Sequence, residues 1–123
     1  MIRDLIAVAC GGALGSMARY LIAGCTLGGM TWWGFPAGTF AVNAVGSLLI
    51  GILARTLPTS PLQLLLVTGF CGGFTTFSAF SAETAGLLRQ GCWGTAALYA
   101  LLSVVVCTGF AALGFCSGNF FRH

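Results

Sequence analysis

The sequence predicts an all-α integral membrane protein with four transmembrane helices. Three observations carry that prediction. Only seven of 123 residues are charged, five arginines with one aspartate and one glutamate, while 58% are hydrophobic. Mean hydropathy is +0.99. The length suits four crossings: each needs roughly 20 apolar residues, so four use about 80 and leave about 40 for ends and turns. Soluble domains carry about 25% charged residues, and a water-facing surface cannot be built from seven. A soluble enzyme, a nucleic-acid binder and a disordered chain are excluded. Residues 1–123 form a single domain, with no room for a second.

The first apolar stretch runs from about Leu5 to Leu27 and contains Arg19. It continues too far for a signal peptide, and three similar segments follow. The second runs from about Phe35 to Leu57 and opens at Pro36, a favourable residue for a helix start. The third, after the turn Pro58-Thr59-Ser60-Pro61, runs from about Leu62 to Leu88. The fourth runs from about Trp93 to Cys116. The spans lack period-2 alternation, which argues against a β-barrel.

Tryptophans mark the membrane–water interface. An even number of spans puts Trp32, Trp33 and Trp93 at one end, with Arg89, and Arg3, Arg55 and Arg122 at the other. Three arginines against one place both termini in the cytoplasm. The bias is small, because Asp4 sits beside Arg3, and a chain with so little bias can insert both ways.

Glycine supplies 19 residues. Gly11 and Gly15 form a GxxxG pair, with Gly12 and Ser16 beside it. Small residues let membrane helices approach closely, either within one subunit or across a dimer face. The six cysteines, Cys10, Cys25, Cys71, Cys92, Cys107 and Cys116, form no CxxC, so metal-ligand spacing is absent. Only Cys25 and Cys92 fall near one interface, and their pairing stays open.

The third span carries the most chemistry. Thr68-Gly69-Phe70-Cys71-Gly72-Gly73-Phe74-Thr75-Thr76-Phe77-Ser78-Ala79-Phe80-Ser81 mixes glycines and hydroxyls with aromatics. Adjacent glycines and adjacent threonines weaken a helix, so a break is expected near Gly72 to Thr76. A break frees backbone groups that must be buried in protein or must hold water or an ion. Phe77 and Phe80 lie on one helical face, with Phe74 on a similar side. Their electropositive ring edges can favour an anion without binding it tightly.

Asn43 sits mid-span in the second helix, where a carboxamide needs a partner. It serves either as an interhelical hydrogen bond or as an NH₂ donor to a passing anion. Tyr99, Ser103 and Cys107 recur at steps of four and line one stripe of the fourth helix. That stripe is either interhelical glue or a path for a hydrated solute. Arg19 and Glu83 are the two charges near the membrane interior, and such residues are functional suspects.

Taken together, Gly11-Gly12-Ala13-Leu14-Gly15-Ser16 with Arg19-Tyr20, Gly38-Thr39 with Val42-Asn43 and Gly46-Ser47, and Gly69 to Ser78 with Phe80-Ser81 and Glu83 resemble the CrcB/Fluc fluoride channel family. The resemblance covers three spans in order, and its third-span motif is the specific part. It implies a dual-topology antiparallel homodimer in the cell inner membrane, multi-pass, with two fluoride pathways at the subunit interface and passive fluoride export. It implies that Asn43, Phe77, Phe80, Ser78, Tyr99 and Ser103 line the pore. It further implies that Gly72 and Thr75 carbonyls hold a structural Na⁺ at the dimer centre. Arg19 and Glu83 match the family's charged or vestibule positions. Two residues depart from the pattern: Ala79 stands where threonine is frequent, and Cys107 where a third hydroxyl would extend the stripe.

Fluoride is small and strongly hydrated, so its pore must replace water with donors. Asn43, Ser78, Tyr99 and Ser103 supply them. The competing class is a small four-helix multidrug exporter of cations, which needs an acidic residue in the first span. Here that span has Arg19 and no carboxylate in its apolar core. A glycine-packed assembly factor without transport is a third reading.

Overall fold

The computed structural model describes the backbone of residues 1–26, 31–32, 35–57 and 60–122, and the side chains of residues 1–23, 36–57 and 60–117. Expectations for Trp32, Trp33, Cys25 and Arg122 concern side chains outside these residues. Helix α1 (Ile2–Arg19) continues as the π-helical segment Tyr20–Thr26. A short antiparallel hairpin, β1 (Thr31–Trp32) with β2 (Phe35–Pro36), leads into α2 (Ala37–Thr56). The third span comprises α3 (Pro61–Gln63), the π-helical segment Leu64–Cys71, α4 (Gly72–Phe74) and α5 (Phe77–Arg89). Helix α6 (Trp93–Arg122) closes the chain. Four stretches are long and apolar enough to cross a membrane: Ile2–Ala23, Ala37–Thr56, Pro61–Arg89 and Trp93–Ser117.

Helix starts and stops follow local chemistry. Ser60 caps α3 by accepting the Gln63 amide at 3.4 Å, with Pro61 in the first turn. Pro36 pairs with Thr31 in the hairpin and precedes α2 as its N-cap, one place earlier than the expected first helical position. Gly91, at φ 80°, ends α5, where the Cys92 amide bonds the Leu87 carbonyl and the Gly91 amide bonds Leu88. This is a Schellman stop. It lets α6 begin two residues later.

Glycines make two tight helix seams. Gly11 and Gly15 are buried against the third span. A Cβ on Gly15 would lie 2.9 Å from the Phe74 amide nitrogen, and one on Gly73 would lie 2.6 Å from the Gly12 carbonyl oxygen. The GxxxG pair therefore packs within the subunit. On the other side α2 and α6 make the most extensive contact among the described elements. There Gly51 and Gly114 face each other, and a Cβ on either would stand 2.9 Å from the other's Cα. Close approach of this kind supplies van der Waals contact where lipid offers no hydrophobic drive.

These seams leave most large side chains outside. Val42, Cys71 and Tyr99 are fully buried. Leu5, Leu14, Leu21, Leu101, Val104 and Leu113 are exposed and present apolar surface to whatever surrounds the subunit. Cys92 carries a free, exposed thiol.

Candidate functional site

The site forms where the third span meets α2. Thr75 has φ −82° and ψ 155°, and Thr76 has φ −149° and ψ 117°, so both are extended between α4 and α5. Asn43, one third of the way along α2, faces them. Its Oδ1 accepts the Thr76 amide at 2.9 Å, and its Nδ2 donates to the Thr76 carbonyl at 3.3 Å. Gly46, one turn on, gives the space: a Cβ there would strike the Thr75 methyl.

The backbone accounting at this point is specific. In an uninterrupted helix the Thr76 amide would bond the Gly72 carbonyl, and the Ala79 amide would bond that of Thr75. Here the Thr76 amide goes to Asn43, and the Ala79 amide donates to the Thr76 hydroxyl at 3.1 Å. Both carbonyls thus lose their helical donors to named side chains. Gly73 lies between them, and its carbonyl accepts from Arg19 Nε at 3.2 Å. Thr75 turns its own hydroxyl back to the Cys71 carbonyl at 2.8 Å.

A cavity of about 290 Å³ opens beside this segment. Asn43, Phe77, Phe80, Ser103 and Cys107 all line it, together with Ser47. The phenylalanine rings are 5.6 Å apart at their centroids and inclined by 41°. Phe80 also packs on Tyr99, at 5.0 Å and 45°. Phe77 is 78% exposed, so the cavity's outer wall lies at the subunit surface.

Two polar ladders meet here. On α2, Thr39, Asn43 and Ser47 recur every four residues. On α6, Tyr99, Ser103 and Cys107 do the same. The helices run parallel, because Thr39 contacts Tyr99 near one end while Gly51 faces Gly114 near the other. Each ladder therefore follows the other along the seam. Ser103 is only 7% exposed, and its Oγ has no hydrogen-bond partner. In the subunit that hydroxyl is also shielded from solvent.

The remaining expected residues occupy different places. Tyr99 lies fully buried behind Phe80. Ser78 is exposed, with its Oγ 3.0 Å from the Thr76 hydroxyl. Arg19 and Glu83 have separate partners: Arg19 holds Gly73, and Glu83 hydrogen-bonds Thr39. Thr39 also lies against Tyr99, so one threonine stands where α2, α5 and α6 meet. Sequence reasoning did not single it out. Its place four residues before Asn43 was the available signal. Among the described residues no three His, Cys, Asp or Glu side chains gather.

Comparison with known proteins gives a consistent picture. The family described as "CrcB-like protein, Camphor Resistance (CrcB)" matches residues 6–115. The chain is 47% identical over 117 residues to a fluoride-specific ion channel FluC from Methylobacillus flagellatus, with 91% of each chain covered. It is 45% identical over 124 residues to the FluC of Bordetella petrii, covering 97% of this chain and 94% of that one. With the FluC of Chlorobaculum tepidum it shares 49% identity over 109 residues, or 85% and 82% of the two chains.

Proposed function

The chain belongs to the CrcB-like family, and from that premise we propose that it is a fluoride-selective channel giving passive export of fluoride across the cell inner membrane. It is a multi-pass membrane protein and a transporter, not an enzyme. The observation that carries the proposal is the convergence of Asn43, Ser103, Phe77 and Phe80 on one cavity. A dehydrating fluoride ion needs donors in place of water, and Asn43 and Ser103 offer them. The second Nδ2 hydrogen of Asn43 is available, since one amide hydrogen serves Thr76. Ring edges of Phe77 and Phe80 add a soft electropositive surface.

The subunit does not enclose the path alone. Phe77 is exposed and the cavity opens at the surface. An antiparallel dimer inserted in both orientations would cover that wall and give two pathways at the interface, each lined by both subunits. The small arginine bias of the sequence suits such dual topology. We read the extended Thr75 and Thr76 as the break of the third membrane helix.

A structural Na⁺ fits the residues present. The Gly72 and Thr75 carbonyls are stripped of their helical donors by Asn43 and Thr76, and unwound carbonyls of this kind suit a hard monovalent cation. When bound, Na⁺ would supply positive charge that fixes the break. The chain's own part is to hold the Thr76 and Ala79 amides away from those carbonyls.

The test is efflux from proteoliposomes. Fluoride should leave at least about 100-fold faster than chloride, because chloride is too large for a narrow donor-lined path. Equal permeation of the two, or no fluoride flux, would sink the proposal. The cation-exporter alternative finds little support, since the α1 carboxylate is Asp4, in the first turn and away from the cavity.

A further inference from the structure

We propose that Ser47 is a pore donor, supplying from α2 the hydroxyl that the α6 stripe lacks at Cys107. The proposal rests on the channel reading above. The parallel helices α2 and α6 keep one register along their seam. Thr39 lies against Tyr99, and further along a Cβ on Gly51 would run into the Ala111 carbonyl. Both contacts hold the same offset between the two helices. That offset sets Asn43 level with Ser103, and Ser47 level with Cys107. All four residues line the same cavity.

The donors differ from one level to the next. At the first, the wall carries a carboxamide and a hydroxyl. One turn on, α6 offers only a thiol, a weak donor, and the neighbouring lining residues Ile50 and Val104 are apolar. A fluoride ion passing there needs a replacement for its water. Without Ser47 it would meet methyl groups and sulfur.

The Ser47 hydroxyl is available for that task. Hydroxyls on helices commonly turn back to the carbonyl one turn earlier, as those of Thr56, Thr75 and Thr84 do, each at 2.8 Å. No described residue hydrogen-bonds Ser47 Oγ. Ser47 is half-buried and its oxygen stays in contact with solvent, whereas Ser103 Oγ is shielded. Four residues after Asn43, it stands on the same stripe of α2. Its O–H rotates freely and can turn toward an anion.

Moving the hydroxyl across the seam tests the assignment. Fluoride efflux from proteoliposomes is measured for wild type, Ser47→Ala, Cys107→Ser and the double variant, with unfolding midpoints of the same preparations. Ser47→Ala should lower efflux about tenfold or more at an unchanged midpoint. Adding Cys107→Ser to it should return efflux to within about twofold of wild type, because a hydroxyl then reaches the same level from α6. The same substitution alone should give a smaller gain than it gives on the alanine background. A packing role for Ser47 has the opposite signature, a lowered midpoint with no recovery from the facing helix. Ser47→Cys, which keeps the size and weakens the donor, replaces the alanine variant if that one fails to fold. Wild type that conducts beside an equally active Ser47→Ala, or a loss that Cys107→Ser leaves in place, overturns the donor alone. Wild type that carries no fluoride overturns the channel reading and the donor with it.

Discussion

Asn43 grips the backbone of Thr76 from both sides, accepting its amide at 2.9 Å and donating to its carbonyl at 3.3 Å. The carboxamide thus pairs with an extended residue as a neighbouring strand would. That contact does two jobs. It takes the amide that would otherwise bond Gly72, which keeps the segment from closing into a helix, and it orients Asn43 toward the cavity. The interhelical hydrogen bond is therefore compatible with the proposed role of Asn43 as a pore donor, since the side chain also lines the cavity.

Replacing Asn43 separates these jobs. An ionised aspartate can still accept the Thr76 amide but has no N–H and adds negative charge. Asn43→Asp should fold and lose fluoride efflux by about 100-fold or more. Asn43→Ala also leaves the Thr76 amide and carbonyl without that partner, a loss of about 1–3 kcal/mol. Thermal unfolding in detergent should therefore fall further for alanine. Aspartate conducting at the wild-type rate would remove Asn43 from the path.

Phe77 and Phe80 should respond differently to truncation. Phe77 is 78% exposed in the subunit, and changes at such positions usually stay within about ±0.5 kcal/mol. Phe80 packs between Phe77 and Tyr99, where an aromatic pair contributes about 0.5–1.5 kcal/mol beyond its burial. Phe77→Ile should leave the monomer's stability unchanged and lower efflux about tenfold or more. Phe80→Ile should lower both. Unfolding midpoints and fluoride-electrode traces on the same samples check this, and a stability loss with unchanged flux would mark packing residues.

Much of this arrangement was legible in the residues, for physical reasons. Long apolar runs place the four spans because lipid demands them, and the Tyr99, Ser103 and Cys107 stripe follows from helical periodicity. Partner choice was not legible. Nothing local says that Gly11 and Gly15 meet the third span instead of another subunit, since small-residue seams look alike in both settings. The bond between Asn43 and Thr76 joins residues 33 apart, and Arg19 reaches Gly73 across 54. Thr39 is named in the sequence only within the Gly38-Thr39 motif and without a role, because a threonine near a helix start reads as a local cap. The β1–β2 hairpin pairs only two residues a side, too few for a period-2 pattern to register.

The glycine seam predicts an asymmetry among glycines. A Cβ on Gly15 would run into the Phe70 carbonyl and the Phe74 amide, both backbone. Neither can move without shifting the third span, so Gly15→Ala should destabilise by about 1–3 kcal/mol or more. Gly86 in α5 has nothing within 4 Å of the same position. There alanine should stabilise by about 0.5–1 kcal/mol through helix propensity. Unfolding midpoints of the two variants should lie on opposite sides of wild type.

Arg19 admits a test that tells a backbone strut from a charged mouth. Its Nε bonds the Gly73 carbonyl at 3.2 Å, with the side chain half-buried. Arg19→Met removes that donor from a carbonyl whose helical partner, the Phe77 amide, sits past the extended pair. Hydrogen bonds to charged groups contribute about 1.5–3 kcal/mol, so the unfolding midpoint should drop and efflux should fall with it at every salt concentration. Arg19→Lys keeps the charge and offers rotatable donors, and should restore part of both. A role confined to attracting fluoride would look different. The methionine variant would then keep its stability, and its efflux deficit would fade between about 0.01 M and 1 M salt as screening removes the field.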